Sequence, residues 1–244
     1  MRILVISDIH ANVTALEAVL NDAPSIEEIW CLGDLVGYGP DPNECIDRLK
    51  NLPKFSCVVG NHDAALLGQI DINTFNRDAR LSNEWTKSVI TSQNLQFLHS
   101  LPEKIIKDKV TLVHGSPRNP TWEYLMDLYT ATINFNHFST PYCFVGHTHL
   151  PISFLLKEDE DTQKISWELI NGDTNIILNN RMIINPGSVG QPRDQDARAA
   201  YAIFNTETSI WESRRVEYDI VSVQQRIYAL GLPERHALRL DDGW

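Results

Sequence analysis

The chain has 244 residues, 43% of them hydrophobic and 22% charged, the balance of a folded globular protein and not of a disordered one. Lys plus Arg number 21 against 32 Asp plus Glu, a formal net charge of −11, which repels a nucleic-acid backbone at long range and argues against stable nucleic-acid binding. Apolar runs such as Ile3–Ile6, Ile29–Leu32 and Tyr142–Val145 fall far short of the ~18 residues that span a bilayer, and a strand pattern beginning at Arg2 leaves no room for a leader peptide, so the expected setting is the cytoplasm, without membrane contact.

In chain order, Arg2–Ser7 reads as a buried strand, and Asn12–Asn21 as a helix with Asn12 as cap and Leu16, Val19 and Leu20 on one face. Glu28–Leu32 is a second strand, Pro42–Leu49 a helix with Pro42 near its start, and Phe55–Val59 a third strand. This alternation predicts parallel strands in an α/β core. Residues 64–100 are polar and helix-forming and read as two or three helices, an insertion bordering the site. Val110–His114 and Tyr142–Gly146 are the fourth and fifth strands. After His149 the pattern turns antiparallel, with short strands at Ile152–Leu156, Lys164–Ile170, Ile176–Leu178 and Met182–Ile184, a hairpin signal at Asn179-Asn180, and a further hairpin of Ala199–Asn205 and Ile210–Tyr218. The acidic run Glu158–Asp161 reads as an exposed loop. Val221–Leu240 reads as an amphipathic helix broken at Gly231-Leu232-Pro233. With no internal repeat, residues 1–244 are read as one domain with a C-terminal helical tail from 221. Cys31, Cys45, Cys57 and Cys143 lack a short Cys-x-x-Cys spacing and read as reduced cysteines, three of them in or beside apolar stretches.

The unusual polar residues follow the predicted parallel strands. Asp8 and His10 follow the first, Asp34 the second, and Asn61, His62 and Asp63 the third, while His114 ends the fourth and His147 and His149 follow the fifth. That is the end of an open α/β sheet where ligands bind, and five of the eight histidines lie there. Carboxylates, an Asn carbonyl and imidazoles without a thiolate suit Mn, Fe or Zn better than Ca²⁺ or soft metals. Seven ligands are too many for one ion but suffice for two that share a carboxylate. On extended backbone, residues i and i+2 point the same way, so each Asp-x-His or His-x-His pair is expected to converge.

The ordered blocks Asp8-x-His10, Gly33-Asp34, Gly60-Asn61-His62-Asp63, His114 and Gly146-His147-Thr148-His149 resemble those of the calcineurin-like metallophosphoesterase superfamily. Gly37-Tyr38-Gly39-Pro40, Asn185–Arg193 and the tail Gly231–Arg235 are similar to segments of its small bacterial and archaeal members. The resemblance implies a four-layer αββα sandwich of two mixed sheets with a metal site at the strand C-termini. It implies one divalent ion held by Asp8, His10, Asp34 and His149, and a second by Asp34, Asn61, His114 and His147. It also implies hydrolysis of a small-molecule phosphoester, diester or monoester, by metal-activated hydroxide, with His62 donating a proton or hydrogen bond.

Serine/threonine phosphatases of the superfamily carry Gly-Asp-x-Val-Asp-Arg-Gly where this chain has Gly33-Asp34-Leu35-Val36-Gly37-Tyr38-Gly39. The Asp that orients the histidine and the phosphate-clamping Arg are missing, which favours diesters over phosphoproteins. Arg118 and Arg193 are candidate replacement cations, and Tyr38 or Trp122 a candidate stacking surface. A protein phosphatase, a diadenosine polyphosphate hydrolase and a non-enzymatic scaffold on the same fold are the competing readings. Oligomeric state is left open.

Overall fold

In the computed structural model, which describes residues 1–159 and 162–244, the N-terminal apolar run forms strand β1 (Arg2–Ile6). Its alternate residues serve two layers: Ile3 and Val5 enter the core between two sheets, whereas Leu4 and Ile6 meet helices. Helix α1 (Val13–Asp22) starts at Asn12, whose side chain accepts from the Ala15 amide at 3.0 Å, the cap role expected of it. β2 (Glu28–Cys31), α2 (Pro42–Lys50) with Pro42 in its first turn, and β3 (Phe55–Cys57) follow, and β1, β2 and β3 pair in parallel. Residues 64–100 are helical as expected, in α3 (Asn61–Leu66), a 3₁₀ turn (Ile72–Thr74), α4 (Arg77–Val89) and α5 (Ser92–His99).

The second half contains β4 (Lys104–Lys107), β5 (Val110–Val113), α6 (Leu128–Asn134), β6 (Tyr142–Phe144), β7 (Pro151–Asp159), β8 (Thr162–Leu169), β9 (Thr174–Ile177), β10 (Arg181–Pro186), β11 (Ala199–Asn205), β12 (Ile210–Val216), α7 (Ile220–Ala229) and α8 (Glu234–Asp242). One sheet has the order β3-β2-β1-β11-β12-β9 and the other β4-β5-β6-β10-β7-β8. Both are mixed: β5, β6 and β10 run parallel, whereas β11 joins β1 and β7 joins β10 antiparallel. The sheets face each other through Trp30, Val58, Phe144, Ile184, Phe204 and Trp211. Leu16, Val19, Ile46, Leu49 and Leu98 of α1, α2 and α5 cover the outer face of the first sheet, and Ala131, Phe135 and neighbouring residues that of the second. The result is the expected αββα sandwich.

The expected pattern needs correction at several points. The strands after His149 are not all antiparallel to their neighbours, because β10 runs parallel to β6, and they are dealt to both sheets. Asn179-Asn180 does not close a hairpin, because β9 pairs with β12 in one sheet and β10 with β6 and β7 in the other; the turn crosses between layers. β4, with a lysine at each end and alternating exposure, is an edge strand whose weak apolar pattern hid it. α6 was also unread; Asp127 caps it by accepting from the Thr130 amide at 2.9 Å. Of the loop expected at Glu158–Asp161, β7 takes the first part by extending to Asp159, and Glu160 and Asp161 lie outside the described residues. The tail breaks at Gly231 as expected, giving α7 and α8, which bury Val223, Ile227, Ala237 and Leu240 between them.

Candidate metal centre

The two sheets approach the site from both sides. Asp8, His10, Asp34 and Asn61 leave the ends of β1, β2 and β3, and His114, His147 and His149 leave β5 and β6. All seven are buried. The paired ligands do converge, though not on extended backbone. Asp8 (φ 54°), His10 (47°), Asp34 (55°), His147 (66°) and His149 (61°) all occupy the left-handed region, uncommon for residues with a Cβ and costing about 1–3 kcal/mol each. Loop-to-loop hydrogen bonds hold them there: Asp8 N to Gly33 O at 3.0 Å, His10 N to Asp34 O at 3.0 Å, Gly146 N to His114 O at 2.7 Å and Gly190 N to Asp8 O at 2.9 Å.

The donor atoms of Asp8, His10 and His149 lie within 4.8 Å of one another, as do those of Asp34, His114 and His147, and a third such group joins His10 and Asp34 to His62. Asp34 Oδ2 sits between, 3.6 Å from His10 Nε2 and 3.3 Å from His114 Nε2. Asp8 Oδ1 is 3.3 Å from His149 Nε2, and Asn61 Oδ1 is 2.9 Å from His114 Nε2.

Each carboxylate has one anchored oxygen and one orphan. Asp8 Oδ2 accepts from Ser7 Oγ at 2.6 Å and His147 N at 3.0 Å, and Asp34 Oδ1 from His62 N at 2.9 Å. Asp8 Oδ1 and Asp34 Oδ2 are buried with no hydrogen-bond partner among the described residues, a costly condition for a charged acceptor. The imidazoles are set the same way. His10, His114 and His149 place Nδ1 against the carbonyls of Val36, Leu32 and Gln191 at 3.0, 2.7 and 2.5 Å. A carbonyl only accepts, so the proton is on Nδ1 and the Nε2 lone pair faces the cluster. His147 is reversed, with Nε2 on Trp122 O at 3.0 Å and Nδ1 inward. His10 Nε2 and His149 Nε2 stand only 3.0 Å apart. Lone pairs and orphan oxygens turned on common points are the arrangement a divalent cation satisfies, so the residues present fit two ions that share Asp34.

Burial lowers His10, His147 and His149 well below the usual imidazole range, keeping them neutral. Burial opposes charge on His114 too, but Asp34 beside it overcomes this and raises its pKa to about 9, so a cation taken up there would displace a proton from His114 Nε2. Burial likewise opposes charge on Asp34, yet His114 and His62 hold its pKa low, while burial raises Asp8 to about 6.

His62 lies beside this cluster. Its Nδ1 is 3.1 Å from Nδ2 and 3.4 Å from Oδ1 of Asn83 on α4. Phe75 meets its ring edge-on with centroids 4.9 Å apart. Gly37 is needed here: its φ is +91°, and a Cβ would overlap His62 Nδ1. Burial pushes His62 down to about 4.

The candidate substrate residues separate. Arg193 reaches the site, its Nη2 donating to Tyr38 Oη at 3.3 Å and to Gln191 Oε1 at 3.1 Å. Arg118 pairs with Glu123, and its side chain is 40% exposed. Tyr38 is buried and packs against His10 and His62, with centroids 4.5 and 4.4 Å away. Trp122 is half-buried against Phe75. Tyr124, which the sequence did not single out, stacks on His147 at 3.9 Å while remaining 47% exposed.

Two further roles were not read from the sequence. Asp63 accepts from the amides of Asp34, Leu35, Val36 and Gly60 at 2.9–3.2 Å, tying the Asp34 loop to the start of α3. The signal was its place three residues after Gly60, a capping-box position. Burial raises its carboxyl to about 7, and the amide donors oppose that. Asn83, buried beside His62, gave no signal, because nothing local marks a helix residue as facing another segment.

A two-sheet αββα sandwich with an Asp, Asn and His donor cluster at its strand ends is the class this fold and site define. The calcineurin-like phosphoesterase superfamily domain matches residues 1–209, and the chain belongs to that superfamily of metallophosphoesterase hydrolases. The crystal structure of a metallophosphoesterase from Sphaerobacter thermophilus is 46% identical, with a TM-score of 0.90 over 100% of this chain and 99% of that one. An uncharacterized protein of Methanocaldococcus jannaschii is 43% identical over 95% of this chain and 94% of its own length. A symmetrical bis(5'-nucleosyl)-tetraphosphatase of Proteus mirabilis is 27% identical over 50% of this chain and 47% of its own length, so the likeness spans only about half of each. Among the described residues no helix is long and apolar enough to cross a membrane.

Proposed function

We propose that this protein is a phosphoesterase dependent on two divalent ions of Mn, Fe or Zn type, acting on small phosphoesters, diesters among them. The observation that carries this reading is the pair of orphan carboxylate oxygens, Asp8 Oδ1 and Asp34 Oδ2, facing inward imidazole lone pairs in a buried cluster. Asp8, His10, Asp34 and His149 would hold one ion, and Asp34, Asn61, His114 and His147 the other. Ions held there would supply an activated water and would offset the charge on the phosphoryl oxygens. The chain's own groups do the rest. The carbonyls of Val36, Leu32 and Gln191 fix the imidazole tautomers. His62, oriented by Asn83 and held neutral near pH 7 by burial, donates a hydrogen bond to the departing oxygen, and a proton once the negative charge of a bound phosphate raises its pKa. Arg193 binds phosphoryl oxygen from the Tyr38 side.

Gly37 and Tyr38, in place of the Asp and Arg of the protein phosphatases, remove a clamp suited to a dianionic monoester, which supports diesters. Four free, buried cysteines fit a reducing cytoplasm.

The test is elemental analysis with kinetics. Two metal equivalents are expected per chain, falling to one or fewer in Asp34→Ala. Activity on bis(nitrophenyl) phosphate should be lost on chelation and restored by Mn²⁺. Full activity in excess chelator would overturn the metal reading. A preference above about tenfold for nitrophenyl phosphate or a phosphoserine peptide, about 1.4 kcal/mol in the transition state, would overturn the diester reading.

A further inference from the structure

The second sheet ends on β8. One side of this 8-residue strand pairs with β7, and no strand among the described residues pairs with the other. Lys164, Ser166, Trp167, Glu168 and Leu169 are exposed, Trp167 and Leu169 to 47% each. Such an edge offers a row of free backbone groups to another strand, and proteins usually blunt it with charges, bulges or short length. The other three edges are blunted. β3 has 3 residues and β9 has 4. β4 also has 4, with a lysine at each end, and an antiparallel copy centred on it would set Lys104 against Lys107, like charge against like.

β8 is built the other way. A two-fold axis normal to the sheet keeps each face of the strand on its own side, so in a self-paired antiparallel ladder only residues of the same parity meet. With the axis at Ser166, Lys164 stands opposite Glu168 of the second copy and Ile165 opposite Trp167, and symmetry makes each contact twice. One face is then charge-complementary and the other apolar. Across the β7–β8 ladder within the chain these charges find no counterpart, because Lys164 stands opposite Lys157 and Glu168 opposite Ser153. Apolar groups flank the strand on both faces. On the inner face, Ser166 and Glu168 border an opening between the sheets with Leu155, Ile176 and Ile177, the last 64% exposed. On the outer face, Leu128 of α6, itself exposed, shares a groove with Ile165.

We propose that the protein is a two-fold dimer joined through β8, with the second sheets of two copies continuous across an axis at Ser166. The occupant of this edge is a second copy of the chain and not a strand of another sequence, because the charges and apolar residues of β8 are complementary to themselves. The dimer is independent of the metal centre and of what that centre hydrolyses.

The test is sedimentation velocity on the full chain over a dilution series, in which the wild type is expected to run at twice the chain mass. Lys164→Glu sets carboxylate against carboxylate at both symmetric contacts and should weaken the dimer at least about tenfold. It also places opposite charge across from Lys157, so the β7–β8 hairpin is not loosened. Glu168→Lys should weaken the dimer as much. An equimolar mixture of the two variants should recover it, because every contact across the axis is again between opposite charges, and recovery shows that both variants are folded. The double variant Lys164→Glu/Glu168→Lys should dimerise for the same reason, and Lys104→Glu on the β4 edge should change nothing. A monomer at every concentration overturns the proposal and leaves the edge to a partner of other sequence. A dimer that neither single variant weakens also overturns it, because the copies then meet on another surface. So does a loss that neither the mixture nor the double variant restores.

Discussion

Replacing Asn83 by Ala separates the positioning of His62 from its chemistry. Asn83 is the side chain found against His62 Nδ1 among the described residues, 3.1 Å away through Nδ2. A neutral hydrogen bond of this kind contributes about 0.5–1.5 kcal/mol, which as lost orientation in the transition state is roughly a 2–13-fold fall in kcat. His62→Ala removes the proton donor itself and should cost ~10²–10⁴. The assay compares kcat on bis(nitrophenyl) phosphate and on a diester with an alkoxide leaving group, in wild type, both single variants and the double variant. Nitrophenolate departs without protonation, so both losses should shrink on that substrate. Because Asn83 acts through His62, its effect should vanish in the His62→Ala background, giving a coupling energy equal to the single-variant loss. Asn83→Asp keeps the contact and adds a negative charge, which favours protonated His62 and should move the pH–rate profile to higher pH. An equal loss from Asn83→Ala with and without His62, or on good and poor leaving groups alike, would refute the positioning role.

Two other substitutions follow from backbone and burial. Gly37→Ala places a Cβ against His62 at φ +91°, so it should lower kcat and destabilise the fold by about 1–3 kcal/mol. Gly68→Ala, at φ +72° with open space around it, should show only the smaller strain in urea melts and no change in kcat. Burial pushes His236 down to about 4, below the ordinary ~6.5 of an unfolded chain. The unfolded state therefore takes up the proton first, so the stability of this neutral histidine is present above pH ~6.5 and lost as pH falls toward 4. Between pH 7 and pH 5 the loss is about 2 kcal/mol, and His236→Gln should remove that part of the pH dependence of stability. A pH dependence unchanged in the variant would contradict it.

The residues that the fold gathers at the candidate centre were legible in the sequence because each is a local anomaly. Asp8, Asp34, Asn61, His114 and His147 interrupt or end buried apolar runs, where a polar residue is costly without a partner, and strand ends are where such partners meet. The Asn12 cap, the helical character of 64–100 and the break at Gly231 were legible for the same reason, since each depends on residues within a turn or two.

The pairing of strands was decided by the tertiary structure. β9 and β10 flank a turn that reads as a hairpin, yet Ile176 and Leu178 belong with the inter-sheet core while β10 sits between β6 and β7. Which neighbour a strand takes depends on what covers both of its faces, and that is not written in its own alternation. The same limit hid Asn83. Its chemistry lies in what it faces, His62 on a segment brought beside it only when the fold closes. An asparagine on a helix is unremarkable until the fold buries its polar atoms, and burial is what makes a partner obligatory.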